Sequence, residues 1–146
     1  MSGVGSLYQE VILDLARRPH GKGLRDGAAS SSHQVNPTCG DEVTLQVHVE
    51  DGRVAALRWE GDGCAISQAS ASILADLAPG LAAADLTERI GLFRTAMRSK
   101  GRIEPDEELL GDAVALGGVS RYTARVKCAM LAWVAAEDAL TRLPAA

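Results

Sequence analysis

Two alternating stretches joined by Asp51-Gly52 constrain the fold of this chain more than any other feature. Apolar and polar side chains alternate through residues 42–50, and they alternate again through residues 53–60. The Asp-Gly pair is a strong hairpin signal because both central positions of such a turn favour positive φ. The pattern predicts an antiparallel β-hairpin whose apolar face is formed by Val43, Leu45, Val47, Val49, Ala55, Leu57 and Trp59.

The three cysteines lie in short motifs, two of which flank this hairpin: Asn36-Pro37-Thr38-Cys39-Gly40-Asp41, Gly61-Asp62-Gly63-Cys64-Ala65-Ile66-Ser67 and Arg125-Val126-Lys127-Cys128-Ala129. A hairpin brings the start of its first strand beside the end of its second, so Cys39 and Asp41 are expected to lie near Cys64. Three thiolates and one carboxylate fill a tetrahedral site of the kind that zinc prefers. We therefore predict a zinc site formed by Cys39, Asp41, Cys64 and Cys128.

Arg125 and Lys127 flank Cys128, and their charge would offset that of an anionic metal site and favour the thiolate forms. We also expect Cys128 to lie near the start of a helix, where partial positive charge lowers the pKa of a thiol. Simpler alternatives are that the cysteines are small buried hydrophobic residues, that Asp41 is a turn or capping residue, and that the two cations lie on a solvated helix face. His33 is a rival metal ligand.

The three motifs occur together, in one order, over about two thirds of the chain. On these motifs the sequence resembles the iron–sulfur assembly proteins of the IscU/NifU type, and within them the SufU branch. Two features favour SufU. Lys127 stands where IscU-type proteins have His, and the interval between Cys64 and Cys128 is longer than in IscU by about the length of a helix.

The resemblance implies an α+β fold, with a small antiparallel sheet (hairpin 42–60) packed against several helices in one IscU/SufU-like domain spanning residues 1–146. It implies a sulfur carrier or sulfurtransferase that accepts persulfide sulfur from a pyridoxal-phosphate cysteine desulfurase of the SufS type and serves downstream Suf scaffold components. Cys39 would be the sulfur acceptor, supported by Arg125 and Lys127. Two alternatives are a scaffold on which a transient [2Fe–2S] cluster is assembled and an inert structural zinc domain.

Composition narrows the classes of partner. The 146 residues suit one domain, 47% are hydrophobic and 23% are charged, and the net charge is −4. No basic block is present, which argues against nucleic acid. We see no signal-peptide pattern and no apolar run approaching ~18 residues, so we expect a cytoplasmic protein that does not bind membranes. An odd number of cysteines fits metal or catalytic use better than disulfides.

Apolar periodicity and end signals predict five helices, at about residues 6–18, 66–78, 85–101, 105–116 and 122–143. Asp85 and Glu88 have the spacing of a capping box, and Gly117-Gly118 should break the fourth helix. Residues 20–34, rich in Gly and Ser, predict a mobile loop. Trp133 is expected to be buried between the last helix and the hairpin.

Overall fold

The computed structural model describes residues 3–144, with side chains from residue 8 onward. Three antiparallel strands form a sheet in the order β1-β2-β3. Within the described residues no helix is both long and apolar enough to cross a bilayer. The predicted α+β fold, a small antiparallel sheet packed against several helices, is confirmed. The elements are α1 (Gly3–Arg17), β1 (Ser30–Asn36), β2 (Asp41–Glu50), β3 (Arg53–Asp62), α2 (Ala65–Leu77), α3 (Ala83–Arg98), α4 (Glu107–Leu110), a 3-10 helix (Gly111–Arg121) and α5 (Thr123–Thr141).

The β2–β3 hairpin has the turn that its sequence predicts. Asp51 and Gly52 both have positive φ, 52° and 76°, as the tight hairpin turn with two left-handed residues requires. Leu45 lies opposite Trp59 in the ladder, and both side chains are buried. The hairpin therefore supplies an apolar inner face, and its open end carries the start of β2 and the end of β3.

The apolar face differs from the prediction at the closed end of the hairpin. A register shift lies between His48 and Val49. A shift of one residue exchanges the two faces of a strand. The extra residue, Ala55, lies on β3, so Val54 is buried and Ala55 is exposed. Val49 lies opposite Val54 at the closed end of the hairpin and is 40% exposed. The prediction that Ala55 and Val49 belong to the buried apolar face is therefore wrong.

The segment predicted as the end of a mobile loop is a third strand. Residues 30–36 form β1, which pairs with β2 along its whole length. Its inward positions are polar, so the strand has no apolar periodicity by which the sequence could predict it. Ser32 is buried, and its hydroxyl donates a hydrogen bond to Asp138 of α5 at 2.7 Å. This bond satisfies the buried hydroxyl and joins the sheet to α5.

Two helix ends also differ from prediction. The N-cap of α3 is Ala82, without a side-chain cap, and Asp85 lies inside the first turn, so the capping box is absent. Gly117-Gly118 does not break a helix but lies within the 3-10 helix. The apolar stripe of α3 is buried and consists of Leu86, Ile90, Phe93 and Met97. In α1 Leu15 is buried.

Trp133 is buried as predicted, but its ring lies on the α3 side of α5. It stacks on Phe93 with 3.9 Å between the ring centroids and 17° between the planes. Its Nε1 donates a hydrogen bond to Ser70 Oγ of α2 at 2.8 Å. These contacts place the ring among α5, α3 and α2, so the prediction that it packs between the last helix and the hairpin is wrong.

Candidate metal centre

Cys39 lies in the tight turn between β1 and β2. Asn36 holds this turn twice: its Oδ1 accepts a hydrogen bond from Thr38 N at 3.2 Å, and its carbonyl oxygen accepts one from Gly40 N at 2.8 Å. Gly40 has φ of +74°, a conformation that glycine adopts without a steric penalty. The side chain of Cys39, the one thiol in the β1–β2 connection, is exposed to solvent.

Asp41, the first residue of β2, is 3% exposed and has one free oxygen. Its Oδ1 accepts a hydrogen bond from Cys64 N at 3.2 Å, whereas Oδ2 is buried without a hydrogen-bond partner. An unpaired buried carboxylate oxygen is costly unless a cation is bound to it. The carboxylate is therefore built to accept a positive ligand.

Cys64 and Cys128 lie on two different helices. Cys64 is the N-cap of α2, and Cys128 is buried beyond the first turn of α5. Helix-dipole effects fall off within the first turn, and burial, together with contacts to Asp41, Cys64 and Cys39, raises the pKa of the Cys128 thiol. The prediction that the helix start lowers this pKa is wrong, because Cys64 and not Cys128 occupies a helix N-terminus.

The candidate ligands converge at the open end of the hairpin. Ligand atoms of Cys39, Asp41 and Cys128 all lie within 4.8 Å of one another, and the Sγ atoms of Cys39 and Cys128 are 3.7 Å apart. Cys64 lines the same cavity, which has a volume of about 520 Å³. Three of the four predicted ligands are thus placed to hold one metal ion, and the participation of Cys64 stays a prediction.

The structure separates the two predicted cations. Arg125 lines the cavity, and its guanidinium carbon lies 5.3 Å from the centroid of the Tyr122 ring. Lys127 is exposed and is absent from the cavity lining formed by the described residues. His33 lies on the outer face of the sheet, with its Nδ1 2.8 Å from Thr44 Oγ1, and is not among the converging residues. Arg125 alone of these three borders the site.

Comparison with known proteins identifies the family. Residues 7–142 match the NifU-like N terminal domain. The chain belongs to this family. The match spans all three cysteine motifs, so the family assignment and the converging residues refer to the same part of the molecule.

Relatives of this NifU-like chain cover nearly its whole length. The zinc-dependent sulfurtransferase SufU of Bacillus subtilis (strain 168) is 36% identical over 97% of this chain and 94% of its own. The iron–sulfur cluster assembly scaffold protein IscU of Streptococcus pyogenes serotype M1 is 33% identical over 97% of this chain and 87% of its own. The resemblance to IscU/SufU proteins is thereby confirmed, and with it membership of a family of iron–sulfur cluster assembly proteins.

Solved structures show the same fold. A candidate iron–sulfur cluster assembly scaffold protein for the SUF system from Fervidobacterium islandicum AW-1 superposes with a TM-score of 0.80 at 33% identity, over 94% of this chain and 99% of that one. A NifU-like N-terminal domain from Brucella abortus, 24% identical, gives a TM-score of 0.82 over 96% of each chain. The α+β arrangement is therefore that of the NifU-like family.

Three residues of the NifU-like motifs have roles that the sequence did not reveal. Asn36 orders the Cys39 turn through its side chain. Gly63 makes room for Asp41, since a Cβ there would lie 2.9 Å from Asp41 Oδ1 and 2.1 Å from Ser67 Oγ. Gly61 lies in β3 beside β2, where a Cβ would lie 2.2 Å from Glu42 O. The one indication of these roles in the sequence is that the residues belong to the cysteine motifs.

Proposed function

We propose that this chain is a zinc-dependent sulfur carrier that accepts persulfide sulfur from a pyridoxal-phosphate cysteine desulfurase of the SufS type during iron–sulfur cluster assembly. The observation that carries the proposal is the meeting of an exposed thiol, Cys39, with a buried carboxylate, Asp41, and a buried thiol, Cys128. A relative named as a zinc-dependent sulfurtransferase, 36% identical over 97% of this chain, supports it. We expect the protein to act in the cytoplasm.

The residues present fit zinc. Asp41 Oδ2 is a buried acceptor without a partner, and thiolate and carboxylate ligands suit Zn²⁺ in a tetrahedral site. Cys39, Asp41, Cys64 and Cys128 would hold the ion. When bound, zinc favours the deprotonated form of its cysteine ligands at neutral pH. This matters most for Cys128, whose pKa is raised by burial.

Cys39 and Cys64 are both exposed, and Cys39 is the acceptor in this proposal because it belongs to a turn, whereas Cys64 is the N-cap of α2. Its thiolate attacks the outer sulfur of the desulfurase persulfide. The sulfur–sulfur bond of that persulfide breaks, the desulfurase cysteine leaves as a thiolate, and Cys39 carries the new persulfide. Atoms and electrons balance without an external oxidant. Arg125 at the cavity supplies positive charge near the anionic groups, whereas Lys127 is next to Cys128 in sequence but lies outside the cavity lining formed by the described residues.

A second candidate is a scaffold on which a [2Fe–2S] cluster is assembled as cargo. Relatives named as IscU scaffold proteins favour it, one from Streptococcus pyogenes at 33% identity and one from Thermotoga maritima at 36%. The residue before the third cysteine is Lys127, which offers an ammonium donor in place of an imidazole ligand. Sulfur transfer is therefore the leading proposal, with downstream Suf scaffold components as recipients of the sulfur.

The test combines metal analysis with sulfur transfer. We expect equimolar zinc in the purified, colourless protein, and iron with sulfide in a brown protein would favour the scaffold.

After incubation with the desulfurase and cysteine, mass spectrometry should locate one added sulfur atom on Cys39. Cys39→Ala should abolish stimulation of the desulfurase, whereas Cys64→Ala and Cys128→Ala should lose zinc and stability. Normal stimulation by Cys39→Ala, or an adduct confined to Cys64 or Cys128, would overturn the assignment.

A further inference from the structure

A second cavity, which we call the helix groove, lies beside the metal centre. It has a volume of about 470 Å³ and is bounded by α1, the start of α2, the 3-10 helix and the start of α5. Ala65, Ile66 and Arg125 line both this groove and the cysteine cavity. The two cavities are therefore adjacent. The apolar and aromatic walls of the groove are Tyr8, Ile12, Leu13, Ile66, Val119 and Tyr122.

Large apolar side chains of the helix groove are open to solvent. Leu13 is 46% exposed and Tyr122 is 57% exposed. Single exposed apolar residues are ordinary, but a concave apolar patch that borders a functional site is typical of an interaction surface. Aromatic residues and arginines are enriched at such surfaces.

The charge at the groove has the opposite sign to that of the chain. The chain carries a net charge of −4, yet the ionisable groups that carry formal charge at neutral pH among the described lining residues are the cations Arg121 and Arg125. Within the part of the chain that the structure describes, neither guanidinium forms an ion pair. A partner segment with carboxylates beside an apolar side chain would complement both features.

We propose that the helix groove receives a segment of the cysteine desulfurase in which an apolar side chain is flanked by carboxylates. This inference rests on the sulfur-transfer function proposed above. A protein that delivers sulfur to Cys39 must cover the mouth of the cysteine cavity, and Arg125 and Ile66 carry that surface directly into the groove. The apolar side chain occupies the groove, and the carboxylates pair with Arg121 and Arg125.

Matched substitutions test the surface. Leu13→Asp and Arg121→Glu should each weaken binding of the zinc-loaded chain to its desulfurase by about tenfold or more, as expected for a residue that contributes strongly to an interface. The controls are Leu92→Asp, on α3 and 38% exposed in the wild type, and Arg102→Glu, exposed and outside the groove lining. Both should bind as the wild type does. Zinc content and melting temperature should stay unchanged in all four variants.

A photocrosslinker identifies the occupant. Benzoylphenylalanine in place of Leu13 should crosslink to a desulfurase peptide with an apolar residue beside Asp or Glu, and the same group in place of Leu92 should not. Wild-type affinity in both Leu13→Asp and Arg121→Glu, or equal crosslinking from the two positions, would overturn the groove proposal while leaving sulfur transfer intact. So would a change in oligomeric state alone, which would identify a second copy as the occupant. Failure of the wild type to bind or stimulate the desulfurase would overturn the proposed function itself.

Discussion

Replacement of Trp133 by alanine should be among the most destabilising single changes in this protein. The indole is 0% exposed and stacks on Phe93 of α3 with 3.9 Å between ring centroids. Its Nε1 donates to Ser70 Oγ, and the Ser70 hydroxyl in turn donates to the carbonyl oxygen of Ala129 at 2.6 Å. One side chain thus joins three helices, two of which carry candidate ligands.

The expected loss of unfolding free energy follows from these contacts. Truncation of a fully buried tryptophan to alanine costs about 3–5 kcal/mol through lost burial and the cavity that remains. The aromatic pair adds about 0.5–1.5 kcal/mol beyond the area it buries. Trp133→Phe is the matched control, because it can keep a stacked ring but loses the Nε1 donor. Loss of the bond from Nε1 to Ser70 Oγ should cost Trp133→Phe about 1 kcal/mol of unfolding free energy. The loss is limited because the buried Ser70 hydroxyl still donates to Ala129 O.

Urea denaturation, followed by circular dichroism with zinc retained and again after chelation, measures both losses. The Trp133→Ala deficit should appear in both states, because the packing between α3 and α5 does not depend on the metal. A change within about 0.5 kcal/mol, the range typical of surface substitutions, would refute the reasoning. Equal losses for Trp133→Phe and Trp133→Ala would show that the hydrogen bond, and not the volume and stacking of the ring, dominates.

Three further predictions follow from the site and its supports. Asp41→Ala should weaken zinc retention against a chelator while the chain stays folded, because the cysteines remain and water takes the fourth position; loss of the folded state would contradict this. Gly63→Ala should also weaken zinc retention, since its Cβ would displace the Asp41 carboxylate, whereas Gly91→Ala, with no atom within 4 Å of the new Cβ, should not; equal retention would show that the carboxylate adjusts. Hydrogen bonding with Arg94 lowers the pKa of Glu137, so the stabilisation from this pair is complete above the ordinary value of about 4.3 and is lost as the pH falls through the lower folded value. The difference in unfolding free energy between wild type and Glu137→Gln should therefore shrink on acidification, and a constant difference would contradict the assignment.

The parts of the fold that sequence reasoning predicted are those in which local pattern and tertiary structure agree. Asp51-Gly52 specifies a turn by its own backbone preferences, and the flanking strands alternate strictly until the register shift. Hairpin geometry then places Asp41 beside Cys64 without reference to the rest of the chain, as the hydrogen bond between Asp41 Oδ1 and Cys64 N demonstrates. Hairpin geometry does not place Cys128, which reaches the site from α5, because nothing local relates it to the hairpin.

The parts that were wrong depend on contacts between elements. Strand β1 has Ser32 and Asn36 at its most buried positions, and their burial is stabilised by distant Asp138 and by the turn of the Cys39 motif. A polar strand of this kind has no apolar periodicity to detect. Helix α3 illustrates the same limit, because it begins without the side-chain cap that the spacing of Asp85 and Glu88 predicts. Packing of its apolar stripe stabilises the helix instead.

The three cysteines differ in how firmly the backbone holds them, and this difference bears on transfer. Cys128 is buried within α5. Cys64 donates its N–H to Asp41, and its carbonyl oxygen accepts hydrogen bonds from Ser67 Oγ at 3.0 Å and Gln68 N at 3.1 Å. Cys39 is exposed on a turn that its neighbours order. An acceptor thiol must move toward a partner while the remaining ligands stay in place. Cys64 is also exposed, but it is the N-cap of α2, whereas Cys39 lies in a turn outside any helix and is therefore the better placed of the two exposed thiols.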